Sequence, residues 1–173
     1  MSAGLDWDGV DLVVFDLDGT LYDATRLRAV MGAWLLADAA RQRSLATVRG
    51  LAAFRRVREA LGDASARGPV AFESLQYRLA AQQAGCSPEA LRGWVEDWME
   101  QRPLRWLRAC RRRGAERLFA RLRAAGKQVA VLSDHPARDK LQALGLQADV
   151  VAWAGDAGVG RLKPDPRGLQ VVL

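Results

Sequence analysis

The chain has 173 residues, half of them hydrophobic, and a mean hydropathy of −0.12, which suits one globular domain or a small core carrying an insertion. No apolar run reaches the length of a membrane span, and Met1 to Asp6 lacks the basic and apolar regions of a signal peptide, so a cytoplasmic protein without a membrane partner is expected. The formal charge is +6, but the arginines are scattered and only Arg111-Arg112-Arg113 forms a run, without interleaved aromatics, so a solvated basic surface is expected rather than a nucleic-acid partner.

Residues 1 to 10 read as a polar lead-in, with Trp7 placed to pack on the first strand. Leu12 to Phe15 then reads as a short buried parallel strand, rich in β-branched and aromatic residues. It runs into Asp16-Leu17-Asp18-Gly19-Thr20, where two acids one residue apart precede a glycine. Two carboxylates this close are costly to bury unless a cation or phosphoryl chemistry requires them. Gly19 allows a sharp turn that exposes backbone N–H groups to a phosphate oxygen.

From Ala24 to about Arg113 the pattern is helical. In the first segment Leu27, Val30, Met31, Trp34 and Leu35 share a face, with Asp38 off the stripe. A second helix is predicted over Ser44 to Leu61, with Leu51, Phe54, Val57 and Leu61 inward and Arg49, Arg55 and Arg58 outward. Gly62 to Pro69 reads as a loop, followed by a helix near Val70 to Ala84 that uses Phe72, Leu75 and Leu79. Ser87-Pro88-Glu89 is a helix start, with Ser as N-cap and Pro at the first helical position. Leu91, Trp94, Val95 and Trp98 read as bundle core, and Pro103 as the end of that helix. Cys86 and Cys110 have no motif spacing and read as reduced, structural cysteines.

From Gly114 the pattern changes to α/β. A helix over Ala115 to Ala125 turns Leu118, Phe119 and Leu122 inward and stops at Gly126. Lys127 to Leu132 reads as a strand leading into Ser133-Asp134-His135-Pro136. A helix opened by Pro136 and ended by Gly145 follows, then a short strand over Asp149 to Ala152. This alternation predicts a parallel, Rossmann-like sheet. The expected organisation is an α/β core from 1–22 and 114–173, with a helical cap inserted at 23–113.

Asp16-Leu17-Asp18-Gly19-Thr20 after an apolar strand resembles the first motif of the haloacid dehalogenase-like (HAD) hydrolases, most of which are Mg²⁺-dependent phosphatases. Ser133 at the end of its strand resembles the second motif, and Lys163 in Lys163-Pro164-Asp165-Pro166 the third. The resemblance implies that Asp16 is the nucleophile and forms an aspartyl-phosphate. Asp18 would protonate the leaving alcohol and then activate water. Gly19, Thr20, Ser133 and Lys163 would bind the phosphoryl group, and Mg²⁺ would sit on the Asp16 carboxylate and the Asp18 main-chain carbonyl. An acid at the second position favours a phosphatase over a dehalogenase, and phosphoglycolate, sugar phosphates or nucleoside monophosphates would all suit as a small phosphorylated substrate. His135, the only histidine, receives no role.

The fourth motif of the family, a strand ending in Gly-Asp with a further acid, has no counterpart here. Gly155-Asp156-Ala157-Gly158 precedes Lys163 and does not replace it. The core is therefore expected to be incomplete at the C-terminus, with an exposed apolar edge at Val13 to Phe15 and weakened Mg²⁺ binding. This makes a catalytically silent remnant acting as an interaction module the alternative to a phosphatase. Phosphomutase and dehalogenase chemistry are further readings of the same scaffold.

Overall fold

A computed structural model describes residues 7–61, 69–160 and 162–173. The Gly62–Pro69 loop expectation falls, except for Pro69, outside the described residues, as does the side chain of Phe72.

Three strands form a parallel sheet in the order β1 (Leu12–Asp16), β2 (Gln128–Ser133), β3 (Val150–Trp153). The α/β class expected from the alternation is the class observed. β1 pairs with β2 from Leu12↔Gln128 to Asp16↔Leu132, so Asp16 and Ser133 emerge at the same C-terminal edge. Side chains alternate across the sheet. Val129 and Val131 face a core with Leu17, Phe119, Leu122, Leu141 and Leu144, while Ala130 and Leu132 pack with Ala152, Val159 and Val172 on the other face. β1 is an edge strand and is only partly covered along its length.

Between β1 and β2 lie α1 (Ala24–Gln42), α2 (Ala46–Ala60), α3 (Pro69–Ala84), α4 (Pro88–Val95), a π-helical stretch (Glu96–Gln101), α5 (Arg102–Cys110) and α6 (Ala115–Ala124). Asp23 caps α1 by accepting from the amides of Thr25 and Arg26. Ser87 caps α4 by accepting from Ala90 N, with Pro88 in the first turn, as its sequence predicts. A separate apolar cluster of Leu51, Phe54, Tyr77, Leu91, Val95 and Trp98 holds α2, α3 and α4 together. Pro103 does not end a helix. It sits in the first turn of α5, where a missing N–H costs nothing, and the chain continues through the π-helical stretch into that helix.

The helical stretch leaves and rejoins the sheet region side by side. Asp23 N donates to Cys110 O at 2.8 Å and Arg112 N to Leu21 O at 3.0 Å, around a bridge between Tyr22 and Arg111. Arg111 Nη1 donates to Leu144 O at 2.8 Å and Arg112 lies 3.9 Å from Asp23. Arg111 thus ties this junction to Leu144, while Arg112 and Arg113 stay exposed as the solvated basic surface expected of them.

Two helix faces and the lead-in differ from the sequence reading. Trp34 is 53% exposed and stacks obliquely on Trp106, whereas Asp38 is buried. Its carboxylate is satisfied within α1 by Arg41 at 2.5 Å and Gln42 at 2.6 Å, so an acid that periodicity places off the apolar stripe is held inside. Leu118 is exposed on α6 while Phe119 and Leu122 are buried. Trp7, expected against the first strand, is also exposed.

After β2 come α7 (Arg138–Ala143), β3 and α8 (Arg167–Val172). In α8, Gly168 approaches the sheet so closely that a Cβ there would lie 2.8 Å from Leu132 Cδ1. No helix among the described residues is long and apolar enough to cross a membrane.

Candidate active site

The site begins where β1 stops. Leu17, fully buried, turns inward, so the side chains of Asp16 and Asp18 share the opposite side. Gly19 adopts φ +90°, a left-handed conformation that other residues rarely take, and Leu21 N closes the turn on Leu17 O at 3.0 Å.

Asp16 is held from both of its oxygens. Thr20 Oγ1 donates to Oδ2 at 2.7 Å, and the Lys163 ammonium donates to Oδ1. The main chain of Lys163 is itself placed by Asp134, whose Oδ1 accepts from Lys163 N at 2.8 Å. Of the residues expected to act together, Asp16, Thr20 and Lys163 are therefore in direct contact.

Asp18 has a different set of partners. Its Oδ1 accepts from Tyr22 OH at 2.5 Å and from Lys140 Nζ at 2.7 Å, and its Oδ2 from Ser133 Oγ at 3.2 Å. Burial alone would raise the pKa of this carboxyl. The Lys140 ammonium, with the hydrogen bonds from Lys140 and Tyr22, outweighs burial and holds it below the ordinary aspartate value. Burial, reinforced by the Asp18 carboxylate, pushes the Tyr22 phenol up, so it stays a proton donor. Ser133, 1% exposed, also accepts from His135 N at 3.1 Å. Burial, aided by Arg58 and Lys140, pulls His135 down to about 4, and its imidazole is neutral at pH 7.

Sequence reasoning missed Lys140 and Tyr22. The chain has three lysines, Lys127, Lys140 and Lys163, among 26 Lys and Arg residues. Two of the three meet the two acids of the turn. That rarity is the signal that could have found Lys140, since an ammonium is a compact point charge that arginine does not replace.

Above the turn lies a chamber of about 890 Å³, walled by α1 to α5 and the π-helical stretch on one side and by Asp18, Asp134, His135 and Lys140 on the other. Leu51, Phe54, Trp98 and Met99 supply apolar wall. The outward placement expected of Arg58 does not hold: it is only partly exposed, borders the chamber, and its Nη2 donates to the main-chain oxygen of Asp134 at 3.3 Å, whereas Arg55 borders the same space and stays exposed as expected.

Among the described residues no group of three or more His, Cys, Asp or Glu side chains converges as a metal site. The donors that fit Mg²⁺ are the Asp16 carboxylate and the Asp18 main-chain carbonyl, hard oxygens that suffice only when substrate phosphate and water complete the shell. Asp156 contributes nothing to this set, because its Oδ2 accepts from Trp153 N at 3.0 Å beyond β3.

A family model described as a haloacid dehalogenase-like hydrolase matches residues 10–173. The fold is similar to a solved structure of a 2-haloacid dehalogenase from Pseudomonas syringae pv. Tomato DC3000. Identity is 21%, the TM-score is 0.62, and the match covers 95% of this chain and 71% of that one. A second solved structure, described as a dehalogenase, matches at 20% identity and a TM-score of 0.55, over 95% of this chain and 70% of the other. A comparison with curated proteins returns no match.

Proposed function

The chain belongs to the haloacid dehalogenase-like hydrolases, and on that premise we propose that it hydrolyses phosphomonoesters through an aspartyl-phosphate on Asp16. One observation carries this reading. The end of β1 presents an Asp16 carboxylate gripped by the Thr20 hydroxyl and the Lys163 ammonium, beside a second acid that accepts hydrogen bonds from three donors.

In the first half-reaction an Asp16 oxygen attacks phosphorus and the bond to the ester oxygen breaks. Lys163 balances the charge on the phosphoryl oxygens and keeps Asp16 ionised and oriented. The leaving alkoxide takes a proton through Asp18, drawn from the Lys140–Asp18 hydrogen bond. In the second half-reaction water attacks the aspartyl-phosphate and its proton returns to the same pair, so the proton borrowed is restored. Ser133, now donating to Asp18, is the hydroxyl available to a phosphoryl oxygen once substrate displaces that bond. Mg²⁺, held by the Asp16 carboxylate and the Asp18 carbonyl, would supply electrostatic stabilisation of the phosphoryl oxygens. Residues 23–113 act as the cap that closes over the reaction and excludes water.

A second reading is 2-haloacid dehalogenation, favoured by the way Asp18 is held as a carboxylate. A halide leaves as an anion and needs no acid. Against it, Asp18 is bonded to Lys140, Tyr22 and Ser133, donors suited to relaying the proton that a leaving alkoxide takes and a halide does not need.

The two readings separate by product. The protein is incubated with Mg²⁺ and either 4-nitrophenyl phosphate or 2-chloropropionate, and phosphate and chloride are measured. Phosphate release that disappears in Asp16→Asn supports the phosphatase. Chloride release without phosphate release overturns it.

A further inference from the structure

Arg58 is the one group from the helical cap that reaches the loop carrying Ser133, through its bond to the Asp134 carbonyl at 3.3 Å, among the hydrogen bonds of the described residues. A guanidinium has five N–H donors, and this bond occupies one of them. Among the described residues no carboxylate lies within ion-pair distance of Arg58, although it is largely withdrawn from solvent. Burial, the largest effect on it, lowers its pKa, with the charges of Asp134 and Asp18 acting in the opposite sense. A half-buried guanidinium bordering an apolar-walled chamber favours an anion beside it, because charge pairs strengthen as water is excluded.

Of the cations around the chamber and the turn, two are paired with the acids of the turn, while Arg28 donates to the main-chain oxygen of Ala24 on its own helix. Lys163 is on Asp16 and Lys140 is on Asp18. The chamber wall also carries Glu59, Glu73, Glu100 and Asp139; Glu73 is bound to Arg92 at 2.8 Å, and none of the four forms an ion pair with Arg58. Arg55, one turn earlier on α2, borders the same space and adds to the positive field.

We propose that Arg58 is a specificity-determining residue that binds a second oxyanion of the substrate, so that the preferred substrate is a phosphomonoester with an apolar body and a carboxylate or second phosphate. This rests on the phosphatase reading for its reacting end. The apolar body lies against Leu51, Phe54, Trp98 and Met99, while the phosphoryl group is engaged at Asp16. A planar fork suits a carboxylate or phosphate bidentately.

The test uses the full chain and two aryl phosphates, 4-nitrophenyl phosphate and 4-carboxyphenyl phosphate, with wild type, Arg58→Met and Arg58→Lys. Binding of two inert analogues, benzylphosphonate and 4-carboxybenzylphosphonate, is measured by calorimetry in parallel. In the wild type the carboxylated member of each pair is expected to be favoured about 10- to 100-fold, in kcat/KM and in Kd. Arg58→Met is expected to reduce both preferences below about threefold, each read as the ratio within a pair for the same protein, and Arg58→Lys to restore part of them. A preference that Arg58→Met leaves intact overturns the proposal. So does an equal loss on both members of a pair, which would put Arg58 on the transferred phosphoryl group, and so does failure of the wild type to bind either phosphonate. If neither ester is hydrolysed but the calorimetric preference still depends on Arg58, the subsite stands and the phosphatase reading falls.

Discussion

Lys140 Nζ lies 2.7 Å from Asp18 Oδ1, joining residues 122 positions apart in the chain. The ammonium is 15% exposed and comes from α7, the helix that follows the Ser133 loop. It turns the second acid of the Asp-x-Asp turn into a shielded ion pair next to the nucleophile. Removing it leaves burial as the dominant influence on Asp18, and burial raises a carboxyl pKa. In the wild type the folded-state pKa is below the unfolded one, so the stabilisation is complete above about pH 4 and is lost as pH falls through the folded-state value. Lys140→Met is therefore expected to be less stable than wild type at pH 7 by about 1–3 kcal/mol, with the gap closing as pH drops below about 4. Thermal melts across pH 3 to 8 check this. Parallel profiles for the two proteins would refute it.

Asp16→Asn keeps the shape and an acceptor for Thr20 but removes the attacking charge. Turnover of an aryl phosphate is expected to fall by at least about 10³-fold, with a melting temperature close to wild type. Undiminished hydrolysis would move the nucleophile elsewhere.

His135 offers a direct reading of burial, because it is the only histidine. Its folded-state value of about 4 lies below the unfolded value of about 6.5. The unfolded chain takes up a proton first as pH falls, so folding loses up to about 3 kcal/mol between pH 6.5 and 4. Following the single imidazole by NMR is expected to show titration near pH 4. A midpoint above 6 would mean that the imidazole is solvated.

Gly50 sits where α2 meets α4. A Cβ there would lie 2.7 Å from Trp94 Cε3 and 3.2 Å from Leu91 Cδ1. Gly50→Ala raises helix propensity, yet the clash is with a ring packed against the bundle, so a net loss of about 1–3 kcal/mol is expected in a thermal or urea melt. A stabilised variant would mean that the Trp94 ring is free to move aside.

The sequence alone determined the family, the parallel sheet and the run of helices between its first two strands. Those features rest on local pattern: an apolar strand ending in Asp16-Leu17-Asp18-Gly19-Thr20, a second strand ending at Ser133, and a change of hydrophobic period near Gly114. The contact of Asp16 with Thr20 is also local, since four residues and a glycine turn impose it. What only the tertiary structure decided is how charge is shared out at the site. Lys140 carries no motif and reaches Asp18 because α7 packs behind the Ser133 loop. Arg58 stands on a face that periodicity assigns to solvent, and it became a chamber wall because the core faces that side of α2. Asp38 shows the reverse, an acid drawn inside because Arg41 and Gln42 satisfy it. Hydrophobic periodicity records which face of a helix is apolar. It carries no record of which polar groups will meet across a fold, because such pairings depend on distances set only when separate elements pack.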